Sequence, residues 1–270
     1  MVTSPPHSTT LTHLQAQLTY TTIQASIPFT IFEHETPSTY QTRPREWGMT
    51  LHWGSDHIES CLPAELVSRF NEAYADPTQS PDAVTGLPIY NGKTGELIME
   101  MGADKPCRVS RKKMRNLFAE GLDVQYGKTF VGAEVKGEKV EVTFTDGSKV
   151  TGDILVGSDG AKSRVRAVLC GEEAAKLTNV PVSMFNFPYK FDAELARKIR
   201  DMNELFITSI HPDHGTMFWL SSTFPSHSPI TFPANATLQS KTSLTPKIQP
   251  HGRFKSCNRG PNNPFQLVPT

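Results

Sequence analysis

Residues 151–169 read TGDILVGSDGAKSRVRAVL, and the fold turns on this stretch. Ile154, Leu155 and Val156 form a short apolar run between Gly152-Asp153 and Gly157. A run apolar on both faces is the pattern of a strand inside a parallel sheet covered by helices, so a buried strand is expected. It stops at Ser158-Asp159-Gly160, and a helix follows with Ser163 as its N-cap. In open α/β sheets ligands gather beyond the carboxyl ends of strands, which is where this turn falls. Gly157, Ser158, Gly160 and Ala161 are small and let a bulky ligand approach the backbone. Asp159 can accept hydrogen bonds from sugar hydroxyls, and the amides that open the helix favour phosphate. A purely structural Asp-Gly turn fits the local pattern equally well.

The bulk properties narrow the field. At 270 residues the chain is long enough for one large domain or two modest ones. Its 27 basic and 27 acidic side chains cancel, so nothing draws it to nucleic acid or an anionic membrane surface. Cys61, Cys107, Cys170 and Cys257 are far apart and form no CxxC pair. That argues for free thiols in a reducing compartment, with no disulfide framework and no metal site. No apolar run is long enough to cross a bilayer. The Ser/Thr-rich start lacks the basic and apolar regions of a secretory signal, and a cytoplasmic location is expected.

Composition divides the chain into zones. Residues 1–32 contain no Asp, Glu, Lys or Arg, and no glycine precedes Gly48. Leu11, Leu14 and Leu18 have helical spacing, so residues 1–26 are read as an atypical segment with room for one helix. Residues 221–270 hold eight prolines and no acidic side chain, and a disordered tail is expected there. Between them, IPFTIFE (27–33) reads as a buried strand, and Ser55-Asp56 caps a helix running on through AELVSRFNEAY. LPIYNGKTGELIMEM reads as a hairpin turning at Asn91-Gly92. SRKKMRNLFAEGL reads as a helix capped by Ser110, with Met114, Leu117 and Phe118 inward. Strands are expected around VQYGKTFVGAEV and KVEVTFTDGSKV, the latter closed by Asp146-Gly147. Strand, helix, strand and strand follow in VPVSMFNFPY, DAELARKIRDM and LFITSIH to GTMFWLSS. His211 and His214 flank a proline in what reads as a loop between strands, a poor zinc site.

GDILVGSDGAKSRVR resembles the DG motif of the FAD-dependent aromatic hydroxylases, the p-hydroxybenzoate hydroxylase-like flavoprotein monooxygenases. The family form is roughly GDxLVGADGxxSxVR, and Ser158 in place of Ala is the one departure. The resemblance implies that Asp159 and Gly160 line the pyrophosphate and ribityl region of FAD. IPFTIFEHE resembles the second strand of the same FAD-binding fold, which implies that Glu33, or failing it Glu35, holds the adenosine ribose. TPSTYQTRPREWGMTLHWG resembles the loop that brings an arginine to the cofactor, with Arg45 the best match and Arg43 second. RVSRKKMRNLF resembles the helix start carrying an RxxL-type arginine, which maps to Arg111 with Met114 in the Leu position. Read without the resemblance, each of these is a surface charge at a strand end, in a loop or in a first helical turn.

The family also needs a GxGxxG loop about 20 residues before the ribose acid. The corresponding TTLTHLQAQL contains no glycine, and a side chain at the second glycine would fill the phosphate's space. A closing GD segment is missing as well. The resemblance covers residues 27–220, about half of such an enzyme, which implies truncation at both ends. The expected fold class is α/β: an incomplete FAD/NAD(P)-binding Rossmann-like domain over 27–175 and the start of a mixed-sheet substrate domain over 176–220. The implied activity is NAD(P)H-dependent monooxygenation of an aromatic or polyketide-like substrate through a C4a-hydroperoxyflavin. No side chain stands out as a catalytic acid, base or nucleophile. The alternative is a non-catalytic fragment that binds FAD weakly or not at all.

Overall fold

A computed structural model of the chain describes residues 20, 23, 25–43, 47–52, 54–78, 82, 84, 86–102, 106–223 and 237–244. The expected helix around Leu11, Leu14 and Leu18 lies outside these residues, as does Arg45. The first elements are β1 (Ile31–Glu33), α1 (Pro37–Gln41), β2 (Gly48–Leu51), α2 (Ser55–Cys61) and α3 (Ala64–Ser68). Next come β3 (Gly86–Asn91), β4 (Leu97–Gly102), β5 (Cys107–Ser110), α4 (Arg111–Ala119), β6 (Val124–Tyr126) and β7 (Phe130–Lys136). They continue with β8 (Lys139–Phe144), β9 (Lys149–Gly152), α5 (Arg164–Cys170), α6 (Glu172–Ala175) and β10 (Ser183–Lys190). The last are α7 (Ala193–Met202), β11 (Ile207–His211), β12 (Thr216–Thr223) and β13 (Thr237–Leu244).

The chain forms two units. One takes Met1–Pro44, Ala119–Asn179 and Gln249–Thr270; the other takes Arg45–Phe118 and Val180–Ile248. In the first, β1 pairs in parallel with β6, Ile31 opposite Val124 and Glu33 opposite Tyr126. β7, β8 and β9 form an antiparallel meander. Phe32, Phe130, Val142, Phe144 and Val165 make the core, with Leu155, Val168 and Leu169 packed against it. The Phe32 and Phe144 rings meet with centroids 4.7 Å apart. This core ties β1, the meander and α5 into one body, so the strand end at Glu33 and the start of α5 are positioned by the same apolar contacts.

The meander turns at Asp146-Gly147 as expected. Gly147 sits at φ +79°, where a side chain is disfavoured. Asp146 accepts from Lys128 Nζ at 2.5 Å and from Ser148 N at 3.0 Å. The Lys128 ammonium, and after it Ser148, hold the Asp146 carboxyl below the usual carboxylate range. A lowered folded pKa adds stability that is present above the unfolded value and lost as pH falls below it. Asp146→Asn is therefore expected to be less stable than wild type at pH 7, by a margin that shrinks steadily as pH falls below about 4, read from Tm against pH. A constant difference across that window would exclude this role.

The expected buried strand at 154–156 does not form. Ile154 is 75% exposed, and residues 154–156 lie in no strand. An apolar run becomes a strand only beside a partner, and among the described residues the parallel sheet consists of β1 and β6 alone. Likewise only Ile31–Glu33 of the 27–33 run is a buried strand, and residues 27–30 are exposed.

In the second unit β2 and β5 pair antiparallel. A six-stranded sheet runs in the order β10-β13-β12-β11-β3-β4. It is mixed: β3 and β11 are parallel, and the other neighbours are antiparallel. The β3–β4 hairpin turns over a wider loop than a two-residue one, with Asn91 N donating to Glu96 O and Gly95 at φ +79°. The expected long helix after Ser55 is divided into α2, α3 and a 3-10 turn at Phe70–Ala73, broken at Pro63, which supplies no side-chain cap. α4 is as expected: Ser110 Oγ accepts from Lys113 N at 3.1 Å, and Met114, Leu117 and Phe118 are buried. In the same unit, the guanidinium of Arg200 on α7 is ion-paired with Asp76.

This unit differs from the linear division at residues 175 and 220. The parallel ladder places Ile89 beside Thr208, so residues 86–102 share a sheet with 183–223. Thr237–Leu244, within the stretch read as a disordered tail, forms β13 between β10 and β12. Its Thr and Leu residues suit a strand despite the surrounding prolines.

Candidate functional site

The turn between Gly157 and Val165 is built by two side chains. Asp159 is 2% exposed, and its Oδ2 accepts from Arg164 N at 2.7 Å and Val165 N at 3.3 Å. Its Oδ1 accepts from Ser163 Oγ, and Ser163 Oγ in turn accepts from Arg166 N at 2.9 Å. The first three amides of α5 are therefore taken by Asp159 and Ser163. This corrects the expectation that they are open to phosphate: an amide already bonded to a carboxylate has no hydrogen left for another anion.

The glycines have separate causes. A β-carbon at Gly157 would lie 2.5 Å from Cβ of the buried Val165, so only glycine lets the turn close on the core. Gly160 is at φ +76°, and its carbonyl accepts from Ser163 N at 3.1 Å. Both glycines are exposed while Ser158 and Asp159 between them are buried. The turn thus exposes its two glycines and hides the side chains of Ser158 and Asp159. Ser158 stands where the resembling motif has Ala. Its Oγ is buried and makes no hydrogen bond among the described residues.

Glu33 stands at the carboxyl end of β1, 0% exposed. Its Oε1 accepts from Glu35 N at 3.0 Å and lies 2.8 Å from His34 Nδ1, while its carbonyl accepts from Lys128 N. A carboxylate is thus fixed at the carboxyl end of a parallel strand. Glu35 is paired with the Arg43 guanidinium, which also lies 6.0 Å from the Tyr40 ring. The two second choices, Glu35 and Arg43, satisfy each other. Glu33, Asp159 and Gly160 belong to the first unit. Arg111, the first residue of α4, belongs to the second, where its N–H donates to Trp47 O at 2.9 Å.

The second unit contains a cation that sequence reasoning missed. Arg108 on β5 is 2% exposed. Its Nη1 donates to Thr50 Oγ1 at 3.3 Å and its Cζ lies 5.9 Å from the Trp219 ring. Burial pushes the guanidinium down to about 10. A β-carbon at Gly48 would lie 2.3 Å from Arg108 Nη2, so glycine there leaves the group its place. Trp219 in turn packs on Phe206, and Phe206 meets His52 edge-on. Desolvation lowers the His52 pKa, favouring the neutral imidazole. His52 thus packs against the aromatic side chain of Phe206, whereas Phe185 and Tyr189 on β10 are exposed.

A cleft of about 530 Å³ runs along α5 and α6, lined among others by Val131, Lys162, Arg164, Val168 and Leu177. It takes in none of Gly157, Ser158 and Asp159, but Lys162, Ser163 and Arg164 at the far end of the turn line it. His211 and His214 stack face to face at 4.6 Å in the β11–β12 turn.

No protein-family model matches the chain. Among curated proteins it is 35% identical over 208 residues to the FAD-dependent monooxygenase dbaB of Emericella nidulans, covering 73% of this chain and 50% of that one. Its fold is similar to the crystal structure of a putative FAD-containing monooxygenase from Photorhabdus luminescens (TM-score 0.62, 20% identity), covering 85% of this chain and 59% of that one. It is also similar to Klebsiella pneumoniae HpxO complexed with FAD and uric acid (TM-score 0.57, 16% identity), covering 85% and 54%. The chain spans about half the length of the curated relatives it matches.

Proposed function

The chain is related to the FAD-dependent monooxygenases over about half of their length, and on that footing we propose that it carries part of their cofactor site. The whole activity proposed is NAD(P)H-dependent oxygenation of an aromatic or polyketide-like small molecule, in the cytoplasm. Among the described residues no helix is long and apolar enough to cross a membrane.

The observation that carries this reading is the Gly157–Val165 turn, closed by the buried Asp159 and exposed at Gly157 and Gly160. Gly160 is the contact there, and Asp159 acts as a positioning residue that sets the turn's shape. Glu33 accepts from the adenosine ribose at the end of β1. Arg45 and Arg111 are proposed cofactor contacts on resemblance alone. Bound FAD would supply two-electron redox chemistry and oxygen activation, which no side chain here provides. The chain's own part is to hold it and to keep water from it.

A second reading rests on the absence of any glycine before Gly48 and on the capped amides of α5. It makes the chain a folded relative that does not hold the cofactor. The visible spectrum of the purified protein separates the two. A flavin band near one per chain, bleached by NADH or NADPH without oxygen, is expected. A colourless protein that gains no band when FAD is added would falsify the cofactor reading.

A further inference from the structure

We propose that Ser158 is a cofactor-contacting residue, its hydroxyl donating a hydrogen bond to an oxygen of FAD; this rests on the cofactor reading above. A buried hydroxyl is disfavoured unless it is hydrogen-bonded. Ser158 is 7% exposed, and its Oγ has no partner among the described residues. Its neighbours offer none: Asp159 is occupied by Ser163, Arg164 and Val165, and the amides of Arg164, Val165 and Arg166 are occupied by Asp159 and Ser163. Alanine, the residue of the resembling motif, would fill this place without that cost. The serine therefore fits a state in which an acceptor arrives from outside the turn.

Gly157 and Gly160 flank Ser158 with no side chains, and both are exposed. Ligand oxygens can reach the exposed backbone of these glycines. A serine hydroxyl moves among three staggered positions about χ1, so meeting such an oxygen asks for a rotation of one bond. The ribityl hydroxyls and the diphosphate of FAD are acceptors of this kind, and Ser158 adds a side-chain donor where the turn otherwise offers backbone.

The test uses the full chain with FAD as the probe. Wild type and Ser158→Ala are titrated with FAD, following quenching of free flavin fluorescence, and the Tm of each apoprotein is measured. Ser158→Ala is expected to raise the Kd for FAD by about fivefold, the worth of one neutral hydrogen bond. Its apoprotein Tm is expected to equal or exceed that of wild type. An unchanged or lower Kd overturns the inference and leaves the cofactor reading standing. A lowered apoprotein Tm also overturns it, because the hydroxyl then has a partner within the chain. Wild type that binds no FAD overturns both.

Discussion

Arg200→Ala is expected to lower the unfolding free energy by about 3–5 kcal/mol, the usual result of stranding one half of a buried ion pair. Asp76 is 1% exposed, and the Arg200 guanidinium is ion-paired with its Oδ2. Asp76 Oδ1 accepts from Thr78 N at 2.9 Å and Thr78 Oγ1 at 2.7 Å, while Arg200 Nη2 donates to Thr78 Oγ1 at 2.9 Å. The three residues form a closed network that ties α7 to the loop after the Phe70–Ala73 turn. Alanine leaves the carboxylate with its desolvation uncompensated. Asp76→Asn combined with Arg200→Met should recover much of the loss, since neither side chain is then charged. Trp47 and Trp219 fall in the same unit, so fluorescence-detected urea unfolding reads the effect. A loss under about 1 kcal/mol would place the pair among solvent-screened bridges.

Asp159→Ala should cost about 2–4 kcal/mol, combining a lost helix cap with buried amides left unbonded. Arg164 N and Val165 N lose their acceptor, and Ser163 Oγ loses the group it donates to. Asp159→Asn keeps one acceptor oxygen and should fall between wild type and alanine. Because Asp159 sets the turn and does not face outward, flavin binding should disappear with the stability in the alanine variant and weaken in the asparagine variant. Urea unfolding followed by far-UV circular dichroism, with FAD titration beside it, checks both. An alanine variant of full stability that still failed to bind FAD would show instead that the carboxylate touches the cofactor directly.

Local chemistry was readable in the sequence where neighbours along the chain decide the outcome. Ser110 caps α4 and Ser163 caps α5, the Asp146-Gly147 turn closes the meander, and Asp192 accepts from Leu195 N to start α7. The Asp159 turn was found as well, but its role was divided between two readings that only side-chain geometry separates. What failed depends on partners far away in the chain. Residues 154–156 have the composition of a buried strand but pair with no strand among the described residues, and composition carries no information about pairing partners. The pairing of Glu35 with Arg43 was hidden for a related reason: spacing of eight residues across α1 does not show which charges meet. The burial of Arg108 was not legible in CRVS, because it depends on Gly48 on β2 and Trp219 on β12.

The parallel ladder between β3 and β11 also has a consequence for how this protein is made. It joins Ile89 to Thr208, about 120 residues further along. A ribosome adding about 5–20 residues per second delivers the second strand about 6–24 s after the first. Until then β3 has β4 alone, and a lone hairpin is barely stable in water. Leu97, Ile98, Met99 and Met101 stay largely exposed on β4 even in the finished sheet. The nascent chain therefore carries an apolar, half-paired hairpin through several seconds of synthesis. Its yield in a cell will depend on holding chaperones during that interval more than on the stability of the finished fold.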